Sequence, residues 1–316
     1  MANGNHFTRV RYQRRYPGRV SFGIHPAPAA VIAHLSDTHL LAGGAPLAGL
    51  VDTAAHLRAT VERIRVAAAD ADVIVVSGDV ADLGEPEAYA LAREIIEPLA
   101  AELDAPIVWA AGNHDERPQM RAALGLAGGP DDPIDSVVEV GDLRIVSLDS
   151  SLPGWHHGGF DDGQAAWLRA ALADPPALGT VLVMHHPPLA YRSRLMRLLE
   201  FRDEEQLASA LGDGAVRAIL SGHLHVNGSG TFREIPVVLA GATSYADDLG
   251  APPPAMHGID ATQSFNLIEL YADAMSHSVV PALSHESRET LPAHVVEQVL
   301  QLDPVERMER FSRKPD

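Results

Sequence analysis

Histidine, aspartate and asparagine gather at five places in the chain, each directly after an apolar run. They read Asp37-Thr38-His39, Gly78-Asp79, Gly112-Asn113-His114-Asp115, His185-His186-Pro187-Pro188 and Gly222-His223-Leu224-His225. Asp37/His39 and His223/His225 are i,i+2 pairs, a spacing that puts both side chains on one side of extended backbone. The glycines at 78, 112 and 222 let the chain turn sharply and the backbone approach closely. Taken singly, each cluster is an ordinary strand end; five in series point to one site. Two Asp, one Asn and four His make a mixed nitrogen and oxygen donor set. Such a set suits Mn²⁺, Fe or Zn²⁺ and not a thiolate-selective metal. Seven donors are too many for one ion that must keep a position open, and they suit two ions sharing a bridging carboxylate.

These residues can meet only if the strand ends do. The apolar runs Val31–Leu35, Val73–Val76, Ile107–Ala110, Val181–Met184 and Val216–Leu220 read as strands. Helical patterns at 53–69, 86–103, 164–172 and 204–211 lie among them, with Pro86 opening the second. Two further strands are expected near Val137–Val140 and Leu143–Leu148. Alternating strands and helices imply parallel sheet, and its carboxyl edge is where ligands bind. From residue 230 the pattern turns to short strands, at Gly230–Arg233, Val237–Leu239, Phe265–Tyr271 and Val279–Pro281, which implies antiparallel pairing. A two-sheet sandwich flanked by helices accommodates both patterns. The expected organisation is a flexible basic arm over 1–30, a catalytic domain over 31–281 and a tail over 282–316. The tail carries one amphipathic helix from Ala293 to Phe311, and Gly250–Asp260 is read as a Pro-rich loop.

Composition narrows the function. The 316 residues carry 24 basic and 42 acidic side chains, a net charge of −18 that disfavours coating a nucleic-acid duplex. Residues 1–36 hold Arg9, Arg11, Arg14, Arg15 and Arg19 and no acid. That arm reads as a solvated leader, with an anionic lipid or partner as the alternative. Cysteine is absent, which removes disulfide and thiolate chemistry and fits a cytoplasmic protein. No run approaches the roughly 20 apolar residues of a membrane helix. The opening residues carry no apolar core of a secretory signal. Lys314 is the only lysine against 23 arginines, a bias that reads as GC-rich bacterial coding.

The ordered motifs D-x-H, G-D, G-N-H-D, H-H-P-P and G-H-L-H resemble the calcineurin-like metallophosphoesterase superfamily, and within it the class III cyclic nucleotide phosphodiesterases. His34-Leu-Ser-Asp-Thr-His-Leu40, Gly78-Asp-Val-Ala-Asp-Leu-Gly-Glu-Pro86 and His277-Ser-Val-Val-Pro281 extend the resemblance over about 31–281. It implies a four-layer αββα sandwich and two metal ions, Mn²⁺ and Fe, with Zn²⁺ as the alternative. Asp37, His39 and His225 would hold one ion, Asn113, His185 and His223 the other, and Asp79 would bridge. His39, Asp79, Asn113, His114 and His225 would also face the substrate. The implied chemistry is attack on a phosphodiester by a hydroxide shared between two cations, which also clamp the phosphate for in-line displacement. His114 would act on the leaving group as acid or electrostatic stabiliser, and Asp82 would hold and charge it; a helix N-cap is the plainer role for Asp82. The superfamily's serine/threonine phosphatases have an arginine where this chain has Leu83, a departure that tilts the expectation toward diesters. Pro153-Gly-Trp-His-His-Gly158 resembles a loop of the cyclic nucleotide group, in which His156 and His157 read as packing.

The expected activity is therefore a metal-dependent cyclic nucleotide phosphodiesterase acting on 3′,5′-cyclic AMP, with 2′,3′-cyclic nucleotides as further substrates. A broader diesterase, such as a glycerophosphodiesterase, and a non-catalytic scaffold are the alternatives; a scaffold would be expected to have lost ligands, and none is lost. The resemblance also implies a homodimer, and the tail and basic arm suggest peripheral membrane contact.

Overall fold

The computed structural model describes residues 9–12, 25–212, 216–252, 256–283 and 291–314. Its strands are β1 (Arg9–Tyr12), β2 (Ala30–Leu35), β3 (Val73–Val76), β4 (Ile107–Trp109), β5 (Ser136–Val140), β6 (Leu143–Ser147) and β7 (Thr180–Val183). They continue with β8 (Val216–Ser221), β9 (Gly228–Phe232), β10 (Ile235–Leu239), β11 (Ala246–Asp247), β12 (Gly258–Ile259), β13 (Ser264–Leu270) and β14 (Met275–Pro281). The helices are α1 (Thr53–Ala67), α2 (Pro86–Leu103), α3 (Arg117–Leu124), α4 (Asp162–Leu172), α5 (Glu204–Leu211), α6 (Ala293–Leu300) and α7 (Pro304–Phe311).

Two sheets form the centre of the larger unit, which takes 28–283 and β1. One has the order β1-β5-β6-β7-β8-β10-β9 and the other β14-β13-β2-β3-β4. Their middles are parallel, β6-β7-β8-β10 in one and β2-β3-β4 in the other. The core strands are buried on both faces, which is why they read as continuous apolar runs. Alternate residues of each strand serve different layers. In β2 and β3, Val31, Ala33, Leu35, Ile74 and Val76 pack under the helix that holds Leu57, Val61 and Ile64 and the helix that holds Ile96 and Leu99. Ile32, Val73 and Val75 instead meet Ile145, Val181, Val183, Ala218 and Leu220 of the other sheet. That sheet's opposite face, through Val146, Leu182 and Ile219, packs on Leu168 of α4 and Leu207 of α5. The result is a four-layer αββα sandwich.

Charge is buried where backbone can receive it. Arg144 on β6 is 2% exposed, donates to the main-chain oxygens of Ala171, Ala173 and Asp174 at the end of α4, and pairs with Glu139 at 3.0 Å. It satisfies carbonyls that a helix end leaves without partners.

Four segments differ from expectation. Within the segment read as a flexible arm, Arg9–Tyr12 is a strand parallel to β5, and Arg11 pairs with Glu139 at 2.9 Å. Arg14, Arg15 and Arg19 lie outside the described residues. Arg117–Leu124, unassigned in the sequence reading, is α3, which buries Met120 and Leu124 and closes at Gly125 with φ 68°. Inside the stretch read as loop, Gly258–Ile259 pairs with Ala246–Asp247 as a short ribbon. The tail's single helix is two, both in the smaller unit. Pro304 lacks an N–H and its ring would collide with a carbonyl one turn back, so α6 ends. Asp303 then caps α7, accepting from the N–H groups of Val305 and Glu306 at 2.9 and 3.0 Å. Among the described residues, no helix is long and apolar enough to cross a membrane.

Candidate metal centre

The five motifs meet at the carboxyl ends of β2, β3, β4, β7 and β8. Main-chain bonds lace these ends together: Asp37 N–H to Gly78 O, His39 N–H to Asp79 O, and Gly222 N–H to His185 O, at 3.0 to 3.1 Å. Asp37, His39, Asp79, His223 and His225 all have φ between 42° and 71°. The left-handed region is costly for residues with a Cβ, and such strain concentrates at functional sites. At Gly78 (φ 104°) a Cβ would sit 2.5 Å from Nδ1 of His185, so glycine alone fits there.

Two groups of donors share Asp79, and a third, His39, Asp82 and His114, adjoins them through His39. In the first, Asp37, His39, Asp79 and His225 each offer an atom within 4.8 Å of the others, and Asp79, His185 and His223 do the same in the second. Asp79 belongs to both, its Oδ2 lying 3.5 Å from Nε2 of His39 and 3.3 Å from Nε2 of His185.

Each imidazole is oriented through one nitrogen. His39 donates from Nδ1 to the Asp82 carboxylate (2.9 Å), His225 from Nδ1 to Tyr245 O (3.0 Å), His185 from Nδ1 to Ser77 O (2.8 Å) and His223 from Nε2 to Leu199 O (3.2 Å). Such outer partners set the tautomer and aim the other nitrogen inward. Nε2 of His39 and Nε2 of His225 then face each other at 3.0 Å, an arrangement that needs a proton or a cation between them. Nε2 of His185 and Oδ1 of Asn113 are buried without a hydrogen-bond partner. Buried polar atoms are normally satisfied. These orphaned donor atoms, in a nitrogen and oxygen set, fit a pair of metal ions.

The electrostatics are those of a cation site. Burial opposes ionisation of Asp79, yet the charge of His185 beside it holds its carboxyl well below the usual range. Burial likewise opposes protonation of His185, and Asp79 with Asp37 overcomes it, raising its pKa to about 9. His223 goes the other way: burial, then the neighbouring His186 and His185, push it well below the ordinary value.

The second rank of residues departs from expectation at Asp82. His114 gives its Nδ1 proton to the main-chain oxygen of Asp82 (2.8 Å), and the Asp82 carboxylate is 3.6 Å from that nitrogen because it is turned to His39. The N–H of His114 is bonded to Oδ1 of Asp79 at 2.8 Å. His156, read as loop packing, takes a hydrogen bond from Nδ2 of Asn113 (3.1 Å), and its ring centre is 5.4 Å from that of His114. His186 is fully buried between Ser150 and the main-chain oxygen of His156. Tyr245 and Leu199 were missed because they act through backbone oxygens, which leave no mark on residue type. Tyr191 was missed as well; its ring centre is 5.6 Å from that of His223, so both ends of the segment 191–199 rest on one imidazole. His277 of the last motif donates to Asn266, which reaches His34, and His34 donates to Ser77 Oγ at 2.8 Å, behind the residue that orients His185.

Residues 30–227 match the model of the calcineurin-like phosphoesterase family, a span that contains every residue of both donor groups. The chain belongs to the calcineurin-like phosphoesterase family. Among its relatives, a probable cyclic nucleotide phosphodiesterase of Rhodococcus erythropolis is 43% identical over 83% of this chain and 86% of its own length. A cAMP/cGMP dual specificity phosphodiesterase of Mycobacterium tuberculosis is 39% identical over 92% of this chain and 93% of its own. The fold is also that of a dimetal phosphatase from Danio rerio, with a TM-score of 0.56 at 18% identity over 81% of this chain and 97% of that one. Membership in the calcineurin-like phosphoesterase family accounts for the order of the five motifs along the chain.

Proposed function

We propose that this calcineurin-like phosphoesterase is a dinuclear metal-dependent phosphodiesterase that hydrolyses cyclic nucleotides. The observation that carries the reading is the carboxylate of Asp79 standing between two donor groups, in a chain similar along nine-tenths of its length to a cAMP/cGMP phosphodiesterase. Asp37, His39 and His225 would hold one ion, Asn113, His185 and His223 the other, with Asp79 shared. Mn²⁺ and Fe suit these donors. When bound, such a pair supplies a nucleophile at neutral pH and positive charge to clamp the phosphate.

The chain's own residues do the rest. Asp82 O holds the Nδ1 proton of His114, so a second proton enters and leaves through Nε2. His114 is reachable, its side chain 32% exposed, and it serves the leaving oxygen as acid or as fixed positive charge. Asp79 fixes the backbone beneath His114 through its N–H. Leu83 leaves no guanidinium beside Asp82 for the second charge of a monoester.

The reading includes a second copy of the chain as partner, supported by exposed apolar side chains at Leu249 and Met256 around the Pro-rich segment. It also includes peripheral membrane contact by the tail, supported by the exposed Val305, Met308 and Phe311 of α7.

The test is a hydrolysis panel with Mn²⁺ over cyclic AMP, cyclic GMP, 2′,3′-cyclic AMP, glycerophosphocholine and a nitrophenyl monoester. The highest kcat/KM is expected on a cyclic nucleotide. A tenfold preference for glycerophosphocholine or for the monoester would overturn the reading.

A further inference from the structure

Among the described residues, Trp155 is the most exposed aromatic side chain, 63% accessible, while Trp109 and Trp167 are buried. An indole left in water forgoes the burial that an aromatic ring of this size normally gains. The backbone that carries it is hydrogen-bonded on both sides. Leu152-Pro153-Gly154-Trp155 is a tight turn with Gly154 at φ 80°, closed by Trp155 N–H to Leu152 O at 2.9 Å. The stems of the loop are pinned by Gly159 N–H to Ser150 O (3.0 Å) and by His186 Nε2–H to His156 O (3.2 Å). The next ring along, His157, packs edge-on against the indole with centres 5.1 Å apart.

The turn stands at the proposed catalytic centre. Its neighbour His156 receives the hydrogen bond of Asn113 and lies beside the His114 ring. A second exposed apolar side chain, Leu83, is 68% accessible and follows Asp82, whose main-chain oxygen holds His114. Each of these apolar residues is thus one position from a group in contact with His114. Neither carries charge, so neither serves the phosphate.

We propose that Trp155, with Leu83, forms the binding surface for the nucleobase of the substrate and selects base-bearing diesters over small polyol diesters. The inference rests on the cyclic nucleotide reading above. A flat heteroaromatic ring suits an exposed indole, and stacking is indifferent to which base is presented. Selection by Trp155 therefore separates nucleotides from glycerol diesters without separating adenine from guanine.

The test compares cyclic AMP with base-free ribose 3′,5′-cyclic phosphate, which has the same ring and leaving group. The metal-loaded parent should have a lower KM for cyclic AMP at similar kcat. Trp155→Ala should raise KM for cyclic AMP by about 10- to 100-fold, leave KM for the base-free compound within twofold, and keep metal content. Trp155→Phe should restore most of the loss, which a merely structural role of the indole would not produce, and Leu83→Ala should lose less. Equal KM for the two compounds in the parent would overturn the inference while leaving the phosphodiesterase reading intact. Loss of the same size on both compounds in Trp155→Ala would also overturn it. If the parent turned over bis(4-nitrophenyl) phosphate but neither cyclic compound, the cyclic nucleotide reading would fail and the inference with it.

Discussion

His114 donates from Nδ1 to the main-chain oxygen of Asp82 at 2.8 Å, not to its carboxylate, which is bonded to His39 at 2.9 Å. One residue therefore orients two imidazoles by different atoms: its carboxylate bonds His39 and stands 3.6 Å from Nδ1 of His114, which its main-chain oxygen holds.

The two substitutions should fail differently. His114→Ala should keep both ions and lose about 10²- to 10⁴-fold in kcat, the usual worth of a positioned acid. The loss should shrink on a nitrophenyl diester, whose leaving group needs little proton assistance. Asp82→Asn keeps the main-chain oxygen and weakens the hold on His39, so it should lower affinity for one metal about 10- to 100-fold. Saturating Mn²⁺ should then recover most of the Asp82→Asn activity and none of the His114→Ala activity. Recovery of both, or of neither, would contradict this division.

Asp79 stands in both donor groups, and Asn113 is proposed as a ligand of one ion. Elemental analysis after gel filtration should find Asp79→Ala depleted of both metals, and Asn113→Ala of chiefly one. Two full equivalents in Asp79→Ala would remove the bridging role.

Away from the centre, Asp135 sets a pH dependence of stability. Burial, then the charge of Asp149, raises its carboxyl to about 7 from an ordinary 3.8. The folded state thus holds a proton that the unfolded chain releases between about pH 4 and 7, so this residue's contribution falls as pH rises through that window. The slope reaches about 1.4 kcal/mol per pH unit. Asp135→Asn keeps an oxygen for the N–H of Asp149 (2.7 Å in the parent) and places an amide near Nε2 of Gln164, a cost that does not vary with pH. The difference in unfolding free energy, variant minus parent, should therefore grow from pH 4 to 7 and level off above. A pH-independent difference would show that Asp135 is ionised throughout.

The donors were legible because each closes an apolar run, and runs buried on both faces bring their carboxyl ends to one edge. Val31–Leu35 and Val73–Val76 carry that information locally. Arg9–Tyr12 does not: its partner is β5, more than a hundred residues on, and nothing near it marks a strand. For α3 the signals were present, Pro118 at its start and Gly125 at its end, but its eight residues give little periodicity. The turn of Asp82 toward His39 is a matter of side-chain rotamer, which residue order does not encode. His156 was read as packing because its contact with Asn113 depends on a turn that brings together segments 43 residues apart.

The segment 191–199 leaves the fold and returns to it at the same histidine, with the ring of Tyr191 at one end and the oxygen of Leu199 at the other. Between those ends lie Arg192, Arg194 and Arg197, all exposed. His223 is one of the proposed metal ligands, so removing the metal is expected to loosen its hold on this segment. Trypsin should nick the chain there many times faster after chelation, giving a larger fragment that ends at Arg192, Arg194 or Arg197 and a smaller one with the remainder of the 316 residues, and Mn²⁺ should restore resistance.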